Sequence, residues 1–566
     1  MFLPTTQQEI EKLGWKNLQI ILVTGDSYID SPYIGAAVIG RVLSAAGYRV
    51  GIIAQPDMDS ANDITRLGQP ELFWGVSGGS VDSMVANYTA LKKRRKSDDY
   101  TPGGKNNRRP DRAVISYTNL IKKYFKSAKP IVLGGIEASL RRIAHYDFWS
   151  DTVRGSVLFD SKADFLVYGM AEKTIVMLAE MIERKDFQGA ANVPGVCYKS
   201  SEAVSEYIRL PDFEKVKESK EAFSQMFHLF YTNNDPLSAR GLVQKHGNRF
   251  LIQNPPAPHL SSAELDRIYE LDYQHEVHPY YKQFGLVRAL DTIKFSITSH
   301  RGCYGECHFC AISVHQGRTV LERSQASIIR EAEKFTRHPK FKGYIYDVGG
   351  PTANMYGFEC KKKIQNGACP EKRCLGQKVC PSMPVNHQKQ ISLLNSLRQI
   401  PGIKKVFISS GIRYDLIQTD KKFGYLYLEN IIGSHISGQL KIAPEHTEES
   451  ILQRMGKPGK DQLVRFKNLF YQLTQKAKKN QFLTYYFIAA YPGCRDEDMS
   501  RLKKFCSTEL KTTPEQVQIF TPTPSTYASL MYYTERDPFS GKPLFVEKSN
   551  PKKEKQKNIV LRSFSK

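Results

Sequence analysis

Cys303, Cys307 and Cys310 lie in the stretch "SHRGCYGECHFCAISVHQGR" with the spacing C-x3-C-x2-C. A closed structural zinc site needs four ligands, so three thiolates leave one position on a metal centre open. In a reducing compartment, closely spaced cysteines are more often metal ligands or free thiols than disulfides. Three thiolates could bind three irons of a [4Fe–4S] cluster and leave the fourth iron open to a small chelating ligand.

The best-known chelating ligand of such an iron is S-adenosylmethionine, which binds through its amino and carboxylate groups. Electron transfer from the cluster to the sulfonium breaks a C–S bond and releases a 5′-deoxyadenosyl radical, while the protein orients the cofactor. The alternative is a structural zinc site completed by His300, His308 or His315. The spacing of the cysteines, with Phe309 directly before the last of them, favours the cluster.

The cysteine motif follows the first of six predicted strands in the second half of the chain. These strands alternate with helical segments and are "IKFSITS", "GYIYDVGG", "KVFISSG", "GQLKIAPE", "LTYYFIAAYPG" and "QVQIFTPTPS". The alternation predicts a partial (β/α)6 barrel over residues 291–545, a relative of the (β/α)8 barrel. The chemically interesting residues fall at the C-terminal ends of the strands, where the active sites of barrels lie.

The first part of the chain also alternates strand and helix patterns, beginning with "LQIILVTG", "GAAVIGRVLSAAGY" and "RVGIIAQ". This pattern predicts a doubly wound α/β domain with a parallel sheet over residues 1–205. Its strand-end loops, such as Gly25–Tyr33 and Gly134–Arg142, are where a ligand would bind. Residues 206–290 are predicted to be a connector, and residues 546–566 a basic, loosely ordered tail.

Composition places the chain among globular proteins of several domains, with 566 residues, 41% hydrophobic and 24% charged. The net charge of +24 favours anionic partners such as nucleic acid, although a solvated basic surface explains it equally well. The sequence contains no recognisable signal peptide and no apolar run long enough for a membrane helix. We therefore expect a cytoplasmic protein without membrane partners.

A second cysteine group lies in an insertion within the barrel, at about residues 357–388, with the spacing C-x8-C-x4-C-x5-C. Four thiolates could close a zinc site or hold an auxiliary [4Fe–4S] cluster. The insertion has few hydrophobic residues and should need a metal to fold. The sequence predicts a metal of one kind or the other at Cys360, Cys369, Cys374 and Cys380.

Motifs spread over almost the whole chain make it similar to the YgiQ-type proteins of the radical S-adenosylmethionine superfamily. The segments that carry this resemblance include "GDSYIDSPYIGAAVIGRVL", "GGIEASLRRIAHYDFWSD", "HRGCYGECHFCAI", "GGPTANMYG", "SGIRYD", "KIAPEHTEESILQRMGKP" and "YTERDPFSGKP". The resemblance implies an enzyme that uses a [4Fe–4S] cluster and S-adenosylmethionine on an unknown substrate. It also implies a reductant such as flavodoxin or ferredoxin.

The resemblance further implies contacts to the S-adenosylmethionine cofactor at the barrel strand ends, from Gly349, Gly350, Ser410, Arg413 and Glu445. The two glycines would let the backbone approach the methionyl amine closely. Pro351 stands where an acidic residue often follows the glycines, so an acidic contact there is not expected. Arg413 could form a bidentate pair with the cofactor carboxylate, or only a surface salt bridge.

Two further side chains belong to the same region of the barrel. His446 could donate a proton, but a lone histidine is more often structural. Cys494 could quench a radical, yet a small packed side chain is the better interpretation. The sequence therefore assigns no residue as the hydrogen donor or acceptor.

The N-terminal domain is similar to the cobalamin-binding domains that precede the barrel in several radical enzymes. Base-off cobalamin binding usually needs the motif Asp-x-His-x-x-Gly, whereas the segment that begins at Asp30 reads "DSPYIG" and has no histidine. We therefore expect a cobalamin-domain-like fold that binds no cobalamin.

The substrate class stays open between two alternatives. The basic charge and the run Lys92–Lys96 indicate RNA, and a small molecule or peptide fits equally well. A different kind of function would be a basic nucleic-acid-binding protein whose cysteines hold structural metal only. The colour of anaerobically purified protein would distinguish the two functions.

Overall fold

The computed structural model describes residues 1–561 and divides the chain into two compact units. The first unit comprises Met1–Leu260 and Arg267–Lys294, and the second comprises Ser261–Asp266 and the chain from Phe295 onward. Most of the segment expected to be a connector thus belongs to the first unit. None of the described helices has the length and apolar character that crossing a membrane requires.

A nine-stranded sheet forms the centre of the first unit. Its strands are β1 (Ile20–Thr24), β2 (Val50–Ala54), β3 (Phe73–Ser77), β4 (Ile131–Gly134), β5 (Phe165–Val167), β6 (Val196–Ser200), β7 (Ile208–Arg209), β8 (Leu242–His246) and β9 (Arg249–Gln253). Their order across the sheet is β7-β8-β9-β6-β5-β4-β3-β1-β2. Strands β1 to β5 are mutually parallel, as the sequence predicts.

Strand β1 is buried along its entire length, which is typical of a parallel strand with helices on both faces of the sheet. The helices of the first unit are Gln7–Lys12, Gly35–Ala45, Ser83–Asn87, Ala113–Tyr124, Gly135–Leu140, Val157–Asp160, Glu172–Glu183, Phe187–Ala191, Phe213–Glu218, Lys220–Thr232, Pro279–Lys282 and Ala289–Ile293. Two small antiparallel pairs complete this unit: Ile29–Asp30 with Glu276–Val277, and His145–Asp147 with Thr152–Arg154.

The expected connector supplies three strands of this sheet. Strands β8 and β9 form an antiparallel hairpin, and β9 pairs with β6. The turn between β8 and β9 contains Gly247 at a φ of 60°, a conformation that glycine adopts without strain. Because the composition around this hairpin is irregular, the sequence did not predict that this segment extends the sheet.

Six successive regions of parallel strand form the second unit. They contain β10 (Ser296–Thr298), β11 (Tyr344–Ile345) with β12 (Asp347–Gly349), β13 (Lys405–Val406), β14 (Gln439–Glu445), β15 (Phe482–Ala489) and β16 (Gln516–Ile519). Each region pairs in parallel with the next along the chain, and a single bridge between Ile412 and Ile442 joins the third to the fourth. The strands appear where the sequence predicts them, and the arrangement is the expected partial barrel.

Helices separate these strands, and one short antiparallel pair joins His300–Arg301 to Leu321–Glu322. The helices are Ile312–His315, Gln325–Thr336, Lys361–Asn366, Gln388–Gln399, Tyr414–Thr419, Gly424–Ser434, Glu449–Met455, Lys460–Lys476, Asp496–Phe505, Tyr527–Thr534 and Asn550–Leu561; the helix Ser262–Tyr269 lies at the junction of the two units. The last helix buries Lys553, Gln556 and Val560, so this segment is ordered, contrary to expectation. Residues 562–566 of the expected tail lie outside the described residues.

Candidate active site

The cysteine loop begins directly after β10 and the short strand His300–Arg301. Gly302 opens the loop at a φ of 81°, and a Cβ there would collide with the carbonyl of Thr319. A Cβ on Gly305 would lie 3.3 Å from the sulfur of Cys303 and 3.5 Å from that of Cys307. Both sulfurs therefore lie close to Gly305, which has no side chain to separate them from the loop backbone. The amide of Cys310 bonds to the carbonyl of Cys307 at 2.8 Å, which brings the third thiol to the same turn.

Burial sets the protonation of these thiols. Burial and the neighbouring Cys307 raise the pKa of Cys303, and the same causes raise the pKa of Cys310 to about 12. Both thiols therefore keep their protons near neutral pH. Since the thiolate is the form that ligates a metal, binding of a metal centre would release these protons.

The histidines proposed to complete a zinc site do not converge with the cysteines on one ion among the described residues, although Nε2 of His308 has no hydrogen-bond partner among them. Nε2 of His300 lies 3.0 Å from the carbonyl of Thr352, and Nδ1 of His308 lies 2.7 Å from that of Arg454. His315 ends the short helix Ile312–His315. Among residues 1–561, no three Cys, His, Asp or Glu side chains converge within reach of a single metal ion. Thiolates on different irons of a cluster need no such convergence.

Gly349 and Gly350 lie at the end of β12, next to the cysteine loop. The carbonyl of Gly349 accepts the amide of Ser299 at 2.7 Å, which ties β12 to β10. A Cβ on Gly350 would lie 2.6 Å from both Nε2 and the carbonyl oxygen of His300. Only glycine fits this position without a shift of the neighbouring backbone, and the expected approach to the methionyl amine of the cofactor stays a prediction.

Ser410 follows the third strand region, and its hydroxyl donates to the carboxylate of Asp347. The same carboxylate accepts the amides of Ser409 at 2.8 Å and Ser410 at 3.1 Å. Asp347 thus fixes the loop that presents Ser410. Because the Ser410 hydroxyl donates its hydrogen to Asp347, it could only accept a hydrogen bond from a ligand.

Arg413 is buried and forms a bidentate pair with Asp415, with N···O distances of 2.8 and 2.6 Å. The pair raises the pKa of Arg413. Its remaining nitrogen, Nη1, lies 3.8 Å from the sulfur of Cys307. Arg413 is therefore not a surface salt bridge, and Asp415 rather than a ligand occupies its two-nitrogen fork. One N–H group still faces the cysteine loop.

Glu445 ends β14 at a φ of 69°, a conformation that is strained for a residue other than glycine. One carboxylate oxygen lies 3.5 Å from Nζ of Lys457, and Oε2 has no hydrogen-bond partner among the described residues. Burial raises the pKa of Glu445 to about 7, against the opposing effects of Lys457 and Arg413. The ammonium of Lys457 lies 5.9 Å from the centre of the Phe309 ring, so the pair borders the cysteine loop.

His446 and Cys494 form a buried pair of their own. Nε2 of His446 is 3.6 Å from the sulfur of Cys494, and its Nδ1 accepts the amide of Glu448 at 3.1 Å. Burial lowers the pKa of His446 to about 3 and raises that of Cys494. Both side chains are therefore neutral and packed, as the structural interpretation has it.

Sequence analysis did not single out Asp347, Asp415 or Lys457. A carboxylate inside a short apolar strand, as at Asp347, is a signal because strands disfavour aspartate. The spacing of Arg413 and Asp415 is a weaker signal, since only the turn into the helix Tyr414–Thr419 brings the two side chains together.

The second cysteine group packs beside the first. Cys303, Cys360 and Cys374 border one apolar cluster whose buried members are Tyr304, Val320, Met355, Phe358, Leu375, Met383 and Leu416. The amide of Cys380 bonds to the carbonyl of Cys374 at 2.9 Å, whereas Cys369 is exposed. The structure thus brings three of these four cysteines into one region.

The strand-end edge of the first unit, where the loops after β1, β3 and β4 meet, is filled by charged side chains. Arg109 lies 2.9 Å from Asp26 and 3.1 Å from Asp98, and all three are buried. A Cβ on Gly25 would collide with the carbonyl of Gly78. The loops after β1 and β3 are therefore in direct contact.

Comparison with known sequences gives consistent matches. The family model described as "Radical SAM N-terminal" matches residues 2–296. A UPF0313 protein of Fusobacterium nucleatum subsp. nucleatum is 57% identical over 99% of this chain and 98% of its own length. A UPF0313 protein of Thermotoga maritima is 49% identical with the same coverage of 99% and 98%.

Two solved structures share the fold. TsrM, a radical S-adenosylmethionine methyltransferase from Kitasatospora setae with cobalamin and a [4Fe–4S] cluster bound, has a TM-score of 0.51 at 14% identity, over 90% of this chain and 77% of TsrM. OxsB, a cobalamin-dependent radical enzyme, has a TM-score of 0.51 at 13% identity, over 93% of this chain and 57% of OxsB. Identities this low establish the fold alone.

An N-terminal α/β unit followed by a partial barrel that opens with a three-cysteine loop defines a radical S-adenosylmethionine enzyme. The chain belongs to the YgiQ-type family within this class, whose members are the UPF0313 proteins.

Proposed function

We propose that Cys303, Cys307 and Cys310 hold a [4Fe–4S] cluster that, with S-adenosylmethionine, generates a radical for a reaction on an unidentified substrate in the cytoplasm. The observation that carries the proposal is the gathering of three thiols on one loop at a barrel strand end, with Nη1 of Arg413 3.8 Å from Cys307. Thiol ligands of this kind suit iron–sulfur clusters.

When bound, the cluster supplies the single electron that cleaves S-adenosylmethionine into methionine and a 5′-deoxyadenosyl radical. The chain's own residues prepare the site. Arg413 places a positive charge beside the cysteine loop, with Nη1 3.8 Å from the sulfur of Cys307. Gly350 keeps side-chain bulk away from the strand end, and Glu445 offers a buried oxygen that no described residue binds.

Anaerobically reconstituted protein should be brown and should release 5′-deoxyadenosine from S-adenosylmethionine after reduction with dithionite. Alanine at Cys303, Cys307 or Cys310 should abolish this release. Alanine at Cys506 is the matched control, since Cys506 is buried in the same unit outside both cysteine groups. A colourless, zinc-loaded protein that is inert to reductant would instead support a nucleic-acid-binding function with structural metal only.

RNA is the substrate class that the charge of +24 favours. The residues of the run Lys92–Lys96 are all exposed, as a phosphate-binding surface requires. Cells that lack the protein should then lose a modified nucleoside from their RNA under iron-replete conditions. Unchanged nucleosides together with an altered metabolite pool would assign a small-molecule substrate. In the cell, the electron would come from a flavodoxin or ferredoxin.

We propose that the first unit binds no cobalamin, although TsrM and OxsB bind it. The segment from Asp30 offers no histidine ligand, and Asp30 itself is buried in an ion pair with Arg41. The loops after β1 and β3 also touch at Gly25 and Gly78, on the strand-end edge where a ligand would bind. Protein purified from cobalamin-supplemented cells should show no corrinoid absorbance, and a stoichiometric corrinoid would contradict this.

A further inference from the structure

The segment between the end of β12 and the helix Gln388–Gln399 contains one regular element, the six-residue helix Lys361–Asn366. It nevertheless buries Phe358, Leu375 and Met383 against the tyrosine that follows the first cysteine, Tyr304. The hydroxyl of Tyr304 donates to the carbonyl of Phe358. So short a helix and so few apolar side chains do not account for a fixed position of this insertion, which a bound metal would stabilise.

Lys363 is the unusual residue of the insertion, because its ammonium is buried. Nζ lies 2.9 Å from Glu359, 3.9 Å from the sulfur of Cys374 and 4.4 Å from the centre of the Tyr304 ring. A buried cation needs anionic neighbours. Glu359 supplies one negative charge, and the carbonyl of Arg318 accepts a hydrogen bond from Nζ at 2.9 Å, so the ammonium is held beside the sulfur of Cys374.

The positions of the thiols favour a cluster over a single zinc ion. Cys360 and Cys374 border the same apolar cluster, yet no three potential ligands converge on one ion among the described residues. The first cysteine group has the same open arrangement. In a cluster each thiolate binds its own iron, so the sulfurs stand further apart than around zinc. Cys369, which is exposed, would have to close over the centre as the fourth ligand.

We propose that Cys360, Cys369, Cys374 and Cys380 hold a second iron–sulfur cluster, which relays single electrons to the first. The relay, but not the existence of the second cluster, rests on the function proposed above. A one-electron protein donor of the flavodoxin or ferredoxin class is oxidised by one electron, and the second cluster is reduced by one. The second cluster then returns to its oxidised state as the first is reduced, and no bond is formed or broken. Cys303 borders the same apolar cluster as Cys360 and Cys374, so this cluster would lie against both centres.

The existence of the second cluster is tested in the full chain with Cys303, Cys307 and Cys310 all changed to alanine. After anaerobic reconstitution this variant should keep about four iron and about four sulfide per chain. Adding Cys360→Ala and Cys374→Ala should remove both, whereas adding Cys197→Ala, a buried cysteine of the first unit, should not. A triple variant that binds zinc alone, or no metal, overturns the proposal. Because iron and sulfide content is measured without enzymatic activity, the result does not depend on whether the first proposal is correct.

Lys363→Gln gives a second test that keeps the cysteines intact. Loss of the ammonium beside Cys374 should lower the midpoint potential of the cluster that remains in the triple variant, because a cation stabilises the reduced form. Lys362→Gln, on the same helix but exposed, should leave the potential unchanged. Equal potentials in both variants would contradict a centre beside Lys363.

The relay is tested with the first cluster intact. Cys360→Ala/Cys374→Ala should lose 5′-deoxyadenosine formation driven by a flavodoxin and keep the reaction driven by dithionite, which reaches the first cluster directly. Equal rates with the flavodoxin before and after substitution would overturn the relay.

Discussion

Glu445 combines burial with a left-handed backbone and an oxygen that has no hydrogen-bond partner within residues 1–561. Burial raises its pKa from 4.5 to about 7. Between these two values the folded chain keeps a proton that the unfolded chain has lost. The free energy of unfolding therefore falls as pH rises from 4.5 to about 7 and is level above that.

Glu445→Gln should remove this dependence. In the wild type, this carboxyl should lower the free energy of unfolding by up to about 3 kcal/mol between about pH 5 and about pH 8, because each unit of pKa shift is worth about 1.4 kcal/mol. The variant should lack this decrease. Circular dichroism during urea denaturation reports both units, while fluorescence of Trp15, Trp74 and Trp149 reports the first unit alone. Glu333→Gln, an exposed glutamate of the same unit, is the control. Parallel pH profiles for wild type and Glu445→Gln would contradict the expectation.

Gly350→Ala should weaken the site through crowding alone. The new Cβ would lie 2.6 Å from the ring and the carbonyl of His300, so the strand end must move. We expect a loss of about 1–3 kcal/mol in the free energy of unfolding and weaker binding of S-adenosylmethionine, with the iron content kept.

Gly411→Ala is the matched control for Gly350→Ala, because a Cβ there meets nothing within 4 Å. Calorimetry, iron analysis and equilibrium dialysis would measure the three quantities. Equal behaviour of the two variants would show that the strand end tolerates a side chain.

Among the elements, the last helix, Asn550–Leu561, supplies a side chain that binds the backbone directly after β15. The side chain of Gln556 accepts the amide of Ala490 at 3.0 Å and donates to the carbonyl of Cys494 at 3.2 Å. Ala490 itself has a φ of 55°. The side chain therefore stabilises a strained turn at the active-site end of the barrel.

Gln556→Ala should cost about 2 kcal/mol, because two buried backbone groups lose their partner. Alanine preserves the helix, so the change isolates the hydrogen bonds. Lys552→Ala, exposed on the same helix, should cost less than about 0.5 kcal/mol. A thermal shift as small as that of the control would show that solvent replaces Gln556.

The order of the elements could be predicted from the sequence more completely than the contacts between their side chains. The six barrel strands follow from apolar runs between helical patterns, and the cysteine loop follows from its spacing. The last helix was missed because its sequence, "NPKKEKQKNIVL", has no apolar stripe and depends on tertiary packing. The Arg413–Asp415 pair could not be predicted from the spacing of the two residues. Burial decides whether an arginine pairs with a neighbouring carboxylate or with a ligand.

Across the whole molecule, the two units differ in how they use buried charge. The second places Arg413 and Lys457 beside the cysteine loop, while the first closes its strand-end edge with Arg109, Asp26 and Asp98. The buried charges of this cluster in the first unit are therefore paired with one another, so removing one partner would leave the others uncompensated.

Arg109→Gln should destabilise the first unit by about 3–5 kcal/mol, since it leaves two buried carboxylates without their cation. Tryptophan fluorescence would report the loss selectively. Adding Asp26→Asn and Asp98→Asn should recover part of it, because the uncompensated charges are then gone. A change below about 1 kcal/mol for Arg109→Gln would indicate that water reaches these carboxylates.

The chain passes between the two units three times, after Leu260, after Asp266 and after Lys294. The short segment that belongs to the second unit supplies Asp266, which accepts the amide of Ser324 at 2.9 Å, and Ser262, which donates to the carbonyl of Glu322 at 2.9 Å. A fragment that starts at Phe295 would lack both contacts, although the N-terminal family match ends at residue 296. No single cut in the chain therefore separates the two units, and exchanging one unit for another would need a cut at each of the three crossings.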